Sequence, residues 1–174
     1  DLAFEHNTNQ KISFVLAIDT SGTMNYGPRL EDAIQAASDF IDSLPANDDV
    51  GLVTFGQNSV QVVQDITNDH NLVRNAVSKL EGSGNTYLYD GLVTGMEILK
   101  NTTSRRVLIL MTDGMDSGEG EYTYEDVVAL SDENEIPVYT LGFGEVDEDE
   151  LQRMATITRG AAQINPSSDA LSNG

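Results

Sequence analysis

A chain of 174 residues is long enough to enclose one core, and with no compositional break along it a single domain over residues 1–174 is expected. Its 29 Asp and Glu against 9 Lys and Arg leave a formal net charge of −20, which argues against nucleic acid and anionic membrane surfaces as direct partners. There is no cysteine, so disulfides, thiolate metal sites and thiol catalysis are excluded, and no run approaches the ~18 apolar residues of a membrane-inserting helix.

The first apolar run, Ile12 to Ile18, has the length and β-branched content of a buried strand. Leu30, Ala33, Ile34, Ala37, Phe40, Ile41 and Leu44 then step by three and four, which predicts a helix that buries one face and ends before Pro45. Val50 to Phe55 reads as a second strand. After the polar loop Gly56–Ser59, the alternation through Ser59–Gln64 predicts an edge strand returning antiparallel beside it. Helical spacing recurs at Leu72, Val73, Ala76, Val77, Leu80 and at Leu88, Leu92, Met96, Leu99. Strands follow at Val107–Met111 and Ile136–Phe143, with helices from about Tyr124 to Asn134 and from Asp147 to Thr158. A short last strand is expected at Ala161–Ile164 and a further helix starting near Ser168. Strands alternating with helices predict an α/β fold with a mostly parallel sheet covered on both faces.

The first strand runs directly into Asp19-Thr-Ser21-Gly-Thr23: an acid, then hydroxyls at alternate positions around a glycine. Carboxylate, hydroxyl and water oxygens are the ligands that Mg²⁺ accepts, often with several waters retained. In an open α/β sheet, ligands bind beyond the carboxyl ends of the strands, where strand order reverses. Asp19 and Asp113 both sit at such ends, and Thr86, in Gly82-Ser-Gly84-Asn-Thr86, enters from a third loop. Taken singly, these residues are ordinary helix caps and turn formers; three loops each offering an oxygen point to a metal site. Because hydroxyls are neutral, such a site leaves the cation short of charge, and an open position would attract a partner's carboxylate.

On these residues the chain resembles the von Willebrand factor type A domain with its metal-ion-dependent adhesion site. Asp19-Thr-Ser21-Gly-Thr23 matches the family's Asp-x-Ser-x-Ser motif, Gly84-Asn-Thr86 its Gly-x-Thr segment, and Thr112-Asp113-Gly114 its Thr-Asp-Gly strand end. The resemblance covers nearly the whole chain. It implies a Rossmann-like three-layer sandwich with one antiparallel edge strand. It also implies Mg²⁺, with Mn²⁺ or Ca²⁺ as alternatives, touched by Ser21, Thr23 and Thr86, while Asp19 and Asp113 supply charge directly or through water. One feature departs from the family motif: the second serine is Thr23, which keeps the hydroxyl and adds a methyl; and, set beside the family's closing helix, the helix starting near Ser168 is expected to be truncated.

The function implied is that of a non-enzymatic, metal-dependent adhesion module, monomeric as an isolated domain, that binds a protein supplying a carboxylate. An extracellular or cell-surface setting is expected, weakly favoured by the sequon Asn101-Thr-Thr103. The alternative is a cytoplasmic assembly module docking onto an ATPase or a larger complex. A Mg²⁺-dependent phosphoryl-transfer or receiver-type domain is less favoured, since Lys11, Lys79 and Lys100 all lie away from strand ends and no P-loop is present. His6 and His70 fall away from the site, leaving Ser21 without a base. Asp90, opening a helix, suits the helix dipole. Asn25, Tyr26, Tyr87 and Tyr89 lie on the same loops, as a contact rim or as loop anchors. Asp116, Glu119, Glu121, Glu125 and Asp126, with Glu145 and Asp147–Glu150, form an acidic edge. Its plain role is solvated loop and helix-start charge; its sharper one is selection of a carboxylate flanked by basic residues.

Overall fold

The computed structural model describes residues 10–114 and 116–166. In chain order these form β1 (Ile12–Ile18), a 3-10 turn (Gly22–Asn25), α1 (Arg29–Ser43), β2 (Asp49–Gly56), β3 (Ser59–Thr67), α2 (His70–Val77) and α3 (Leu88–Leu99). There follow β4 (Arg105–Thr112), α4 (Tyr124–Asn134), β5 (Val138–Gly142), α5 (Glu148–Ile157) and β6 (Ala162–Ile164). One six-stranded sheet has the order β3-β2-β1-β4-β5-β6. Only β3 runs antiparallel, against β2; the other pairs are parallel.

β1 lies at the centre of this order, and every one of its residues is buried. A parallel strand with helices on both faces has no solvent side, which is why Ile-Ser-Phe-Val-Leu-Ala-Ile reads as a run and not as an alternation. Phe14, Leu16 and Ile18 face Ala33, Ala37, Phe40 and Ile41 of α1 and Val73 and Val77 of α2. The rings of Phe14 and Phe40 meet edge to face at 5.1 Å. Val15 and Ala17 join Leu92 and Met96 of α3, Val127 of α4 and Leu151 and Met154 of α5 in a second cluster. The result is the expected three-layer sandwich. Because the chain moves from β1 to β2 on one side and later to β4 on the other, strand order reverses between β1 and β4, and a crevice opens beyond their carboxyl ends.

Several boundaries differ from those expected from the sequence. The edge strand continues to Thr67, past the expected Gln64, with irregular register opposite Val50–Val53. β5 is shorter than Ile136–Phe143: Ile136 and Phe143 are buried just beyond its ends, the Phe143 amide still reaching the Thr112 carbonyl of β4 (2.9 Å), and Pro137 has no amide to give the ladder. α2 ends at Val77, and Leu80 packs from the chain beyond it. The 3-10 turn, which buries Met24, has no periodicity long enough to announce it. His70 Nε2 donates to the Asp48 carbonyl (2.7 Å) beside the amino end of β2, at the opposite edge from Asp19. His6 and the helix start near Ser168 lie outside the described residues. Among those residues no helix is long and apolar enough to cross a membrane.

Two helix ends are tied by one side chain. Arg106 donates from Nη1 to the Asn134 carbonyl (3.2 Å) and from Nη2 to the carbonyls of Lys100 (3.0 Å) and Thr102 (2.6 Å). It thereby meets carbonyls at the ends of α3 and α4 with a positive charge. Arg106→Ala is expected to lower stability by about 2 kcal/mol in denaturant titration, and Arg106→Lys to recover little of it, because an ammonium cannot span the same fork.

Candidate functional site

The amide of Asp19 donates to the Met111 carbonyl at 2.8 Å, carrying the β1–β4 pairing one residue past the strand. The side chain then fixes the turn. Asp19 Oδ1 accepts from the Ser21 amide (2.8 Å) and Oδ2 from the Thr112 hydroxyl (2.8 Å). Asp19 is wholly buried, and this burial, reinforced by the nearby Asp113 carboxylate, pushes its pKa up to about 6 against the downward pull of the hydrogen bonds.

From Asp19 the chain passes through Ser21, in extended backbone, into the 3-10 turn. That turn brings the alternate hydroxyls together: Ser21 Oγ and Thr23 Oγ1 are 3.2 Å apart, and Thr23 Oγ1 donates to Asp113 Oδ1 at 3.1 Å. With the Thr23 hydrogen committed to Asp113, the Ser21 hydroxyl is the donor between the two. Both lone pairs of the serine oxygen and one of the threonine oxygen are left over. Ser21 and Asp113 are buried, whereas Thr23 is exposed, so the group opens outward through the threonine.

The third loop is stitched alongside. Gly22 donates to the Gly84 carbonyl (2.9 Å), Ser83 to the Thr20 carbonyl (2.8 Å) and Asn25 Nδ2 to the Gly82 carbonyl (2.7 Å). The structure thus joins four of the five expected residues, Asp19, Ser21, Thr23 and Asp113, through hydrogen bonds. Thr86 is half-buried on the adjoining loop, its carbonyl accepting from Ser117 (2.9 Å). Among the described residues no hydrogen bond links its hydroxyl to the other four. Nor do any three or more His, Cys, Asp or Glu side chains among them form a group that could hold a metal; the site has two carboxylates, and its other donors are hydroxyls.

Sequence reasoning misses two residues of this site. Thr112 holds Asp19 Oδ2, and Arg29, in the first turn of α1, pairs through Nη1 with Asp113 Oδ2 at 3.0 Å. Counting lysines correctly sets aside lysines at strand ends but overlooks this arginine, which reaches the strand end from a helix. The signal is present in the chain: Gly27-Pro28 ends the loop after Asp19 and starts the helix at Arg29, so its first turn must lie over the same edge.

The sequence matches the von Willebrand factor type A domain over residues 14–173. The chain belongs to that family. Domains of the von Willebrand factor type A family are protein-interaction modules. The chain is 26% identical over 167 residues to inter-alpha-trypsin inhibitor heavy chain H2 of Sus scrofa, covering 87% of this chain and 18% of that protein; it therefore spans under a fifth of that relative. Its fold is shared with a von Willebrand factor type A protein from Catenulispora acidiphila (TM-score 0.82, 23% identity, covering 94% of this chain and 41% of that one). It is shared also with proximal thread matrix protein 1 from the mussel byssus, solved with a zinc-occupied MIDAS motif (TM-score 0.76, 20% identity, 94% and 43% coverage).

Much of the acidic edge of this von Willebrand factor type A domain works as internal scaffolding. Asp90 does more than face a helix dipole: its two oxygens accept from the amides of Glu121 (3.0 Å) and Tyr122 (2.9 Å). Asp116 accepts from Tyr89 and Gly118 amides, and Glu119 from Asn85 Nδ2 and the Tyr87 hydroxyl. Tyr89 donates to Glu150 at 2.9 Å, and its pKa is raised by burial and by that carboxylate. Thr123 and Asp126 form a capping box on α4, and Asp147 caps α5. Of the tyrosines considered for a contact rim, Tyr87 and Tyr89 anchor loops, while Tyr26 stands 64% exposed above Arg29.

Proposed function

We propose that this domain binds protein partners through a divalent cation, Mg²⁺ first, with Mn²⁺ or Ca²⁺ as alternatives, and that the cation coordinates a carboxylate of the partner. In this reading Ser21, Thr23 and Thr86 touch the ion, and Asp19 and Asp113 supply charge. The observation that carries it is the hydrogen-bonded run Ser21–Thr23–Asp113 beside buried Asp19, at the point where strand order reverses. The Thr23 hydrogen is directed to Asp113 and the Ser21 hydrogen to Thr23, which leaves oxygen lone pairs for a Lewis acid, the donor chemistry of a hard cation. Every donor is oxygen. Bound there, the ion would supply an electrophilic centre for an anion; the protein holds the hydroxyls in place and excludes water beneath them.

Support also comes from the neighbour solved with a zinc-occupied site of this kind, although at 20% identity it speaks for the fold. The acidic loops favour a carboxylate flanked by Lys or Arg, with binding that weakens as salt rises. Arg29 removes the argument that a phosphoryl-transfer site here would lack a cation. The receiver-type reading still has difficulty with the aspartates: both oxygens of Asp19 and both of Asp113 are engaged, which leaves neither as a free nucleophile.

The test is thermal unfolding of EDTA-stripped protein titrated with Mg²⁺, Mn²⁺ and Ca²⁺ at fixed ionic strength, with Asp19→Ala alongside. A saturable rise in Tm in the wild type that disappears in the variant is expected from binding linkage. Equal rises in both proteins would reduce the effect to screening of a −20 chain and overturn the metal reading.

A further inference from the structure

The cation already at this site is Arg29, and its position is built by three separate elements. It leaves the first turn of α1, and its Nη1 lies 3.0 Å from Asp113 Oδ2 at the end of β4. Its Nε lies where a side chain on residue 144, just beyond β5, would have to be. Gly144 has φ +78°, so a side chain there would be disfavoured on backbone grounds as well as by the arginine. The glycine is itself pinned: its amide donates to Asn165 Oδ1 (2.7 Å) and its carbonyl accepts from Asn165 Nδ2 (3.2 Å). Above, the Tyr26 ring centroid stands 5.7 Å from the guanidinium carbon. The Arg29 side chain is 20% exposed and that of Asp113 2%, so this pair is shielded from the solvent that weakens surface ion pairs.

Asp113 is thereby shared. Its Oδ1 takes the Thr23 hydroxyl and its Oδ2 takes Arg29. Asp19 and Asp113 contribute two negative charges, Arg29 returns one positive, and a dication would leave the loaded site at +1. Without the arginine the loaded site would be neutral. One carboxylate from a partner balances the first arrangement and over-fills the second.

We propose, resting on the metal reading above, that Arg29 is a specificity-determining residue of the site. It opposes loading by a divalent cation alone and matches the loaded site to a single carboxylate, so that metal and anion bind with positive coupling. The relevant ligand class is a monoanionic carboxylate, as on an Asp or Glu side chain.

The test is direct titration of Mn²⁺, followed by the EPR signal of the free ion. It is run on the wild type, Arg29→Gln, Arg29→Lys and Asp19→Ala, in chloride and again in acetate at the same ionic strength. Arg29→Gln is expected to bind Mn²⁺ on the order of tenfold more tightly in chloride, the scale of removing a unit charge several ångströms from a dication near a protein surface. Arg29→Lys, which keeps the charge, should stay near the wild type. Acetate should tighten Mn²⁺ binding more in the wild type than in Arg29→Gln, as reciprocal linkage requires, with Asp19→Ala reporting what acetate does to Mn²⁺ in solution. If the wild type binds in an Asp19-dependent way and Arg29→Gln binds no more tightly, the role of Arg29 is overturned while the metal reading stands. If neither the wild type nor Arg29→Gln binds beyond Asp19→Ala, both fall.

Discussion

Stripped of divalent cations, Asp19→Asn is expected to be more stable than the wild type at neutral pH, and the advantage should fade in acid. Asp19 is one of the site's two buried carboxylates, and the nearby cation Arg29 is held on the other, Asp113. Its pKa rises from 3.8 to about 6, chiefly through burial and next through Asp113. A carboxylate whose folded pKa lies above its unfolded value favours the folded state only while protonated. Folding therefore loses stability as pH climbs from about 4 to about 6 and carries the full penalty above that. At 1.36 kcal/mol per unit, the penalty is on the order of 2–3 kcal/mol. Asn keeps an oxygen for the Ser21 amide and has no charge to desolvate, while the Thr112 hydroxyl has an alternative acceptor in the Gly114 carbonyl at 3.2 Å. Urea titrations at pH 4, 5, 6 and 7 in EDTA should show the two proteins converging at the acid end and separating toward pH 7. Saturating Mg²⁺ should reverse the order, because only the charged residue gains from the ion. A variant that is less stable at every pH would show that hydrogen bonding by the carboxylate outweighs its desolvation.

The parts that are legible in the sequence are those where one physical rule dominates. β1 can be read because burial on both faces demands an unbroken apolar run, and α1 because one buried face demands steps of three and four. The order of elements then fixes the sheet type and with it the edge where Asp19 and Asp113 meet. Arg29, Thr112 and the amide-binding role of Asp90 are not legible in the same way. Each depends on which atom of a neighbour needs a partner, and that comes from three-dimensional placement and not from period. A charged residue in the first turn of an amphipathic helix is solvated surface by pattern. Here the crevice turns it inward onto Asp113. β5 shows the converse: Ile136 looks like strand because it is buried, yet its amide goes to the Ser131 carbonyl of α4 (2.9 Å) and not to the sheet.

Gly56→Ala is expected to cost about 3 kcal/mol or more and to reduce or abolish stabilisation by Mg²⁺ as well. Gly56 is the last residue of β2, and the chain leaving β1 crosses directly over it. A methyl group there would overlap the carbonyl carbon and oxygen of Thr20 and come within 2.6 Å of the Ser21 amide nitrogen. All three atoms are backbone, so no rotamer change relieves the contact. The segment that must move carries the Ser21 amide on Asp19 and the Thr20 carbonyl that receives Ser83 from the third loop. Packing at the end of β2 and geometry of the oxygen cluster are therefore one constraint. Gly114→Ala supplies the contrast: it follows Asp113 immediately, yet a methyl group there meets nothing within 4 Å. Its stability should stay within about 0.5 kcal/mol of the wild type, and its response to Mg²⁺ should be retained. Chemical denaturation of both variants, with and without Mg²⁺, separates the cases. If Gly56→Ala loses stability but keeps a full Mg²⁺ response, the loop after β1 has a freedom of movement that its hydrogen bonds to Asp19 and to the third loop argue against. If both glycines behave alike, proximity to Asp113 decides the outcome and the crossing over β2 does not.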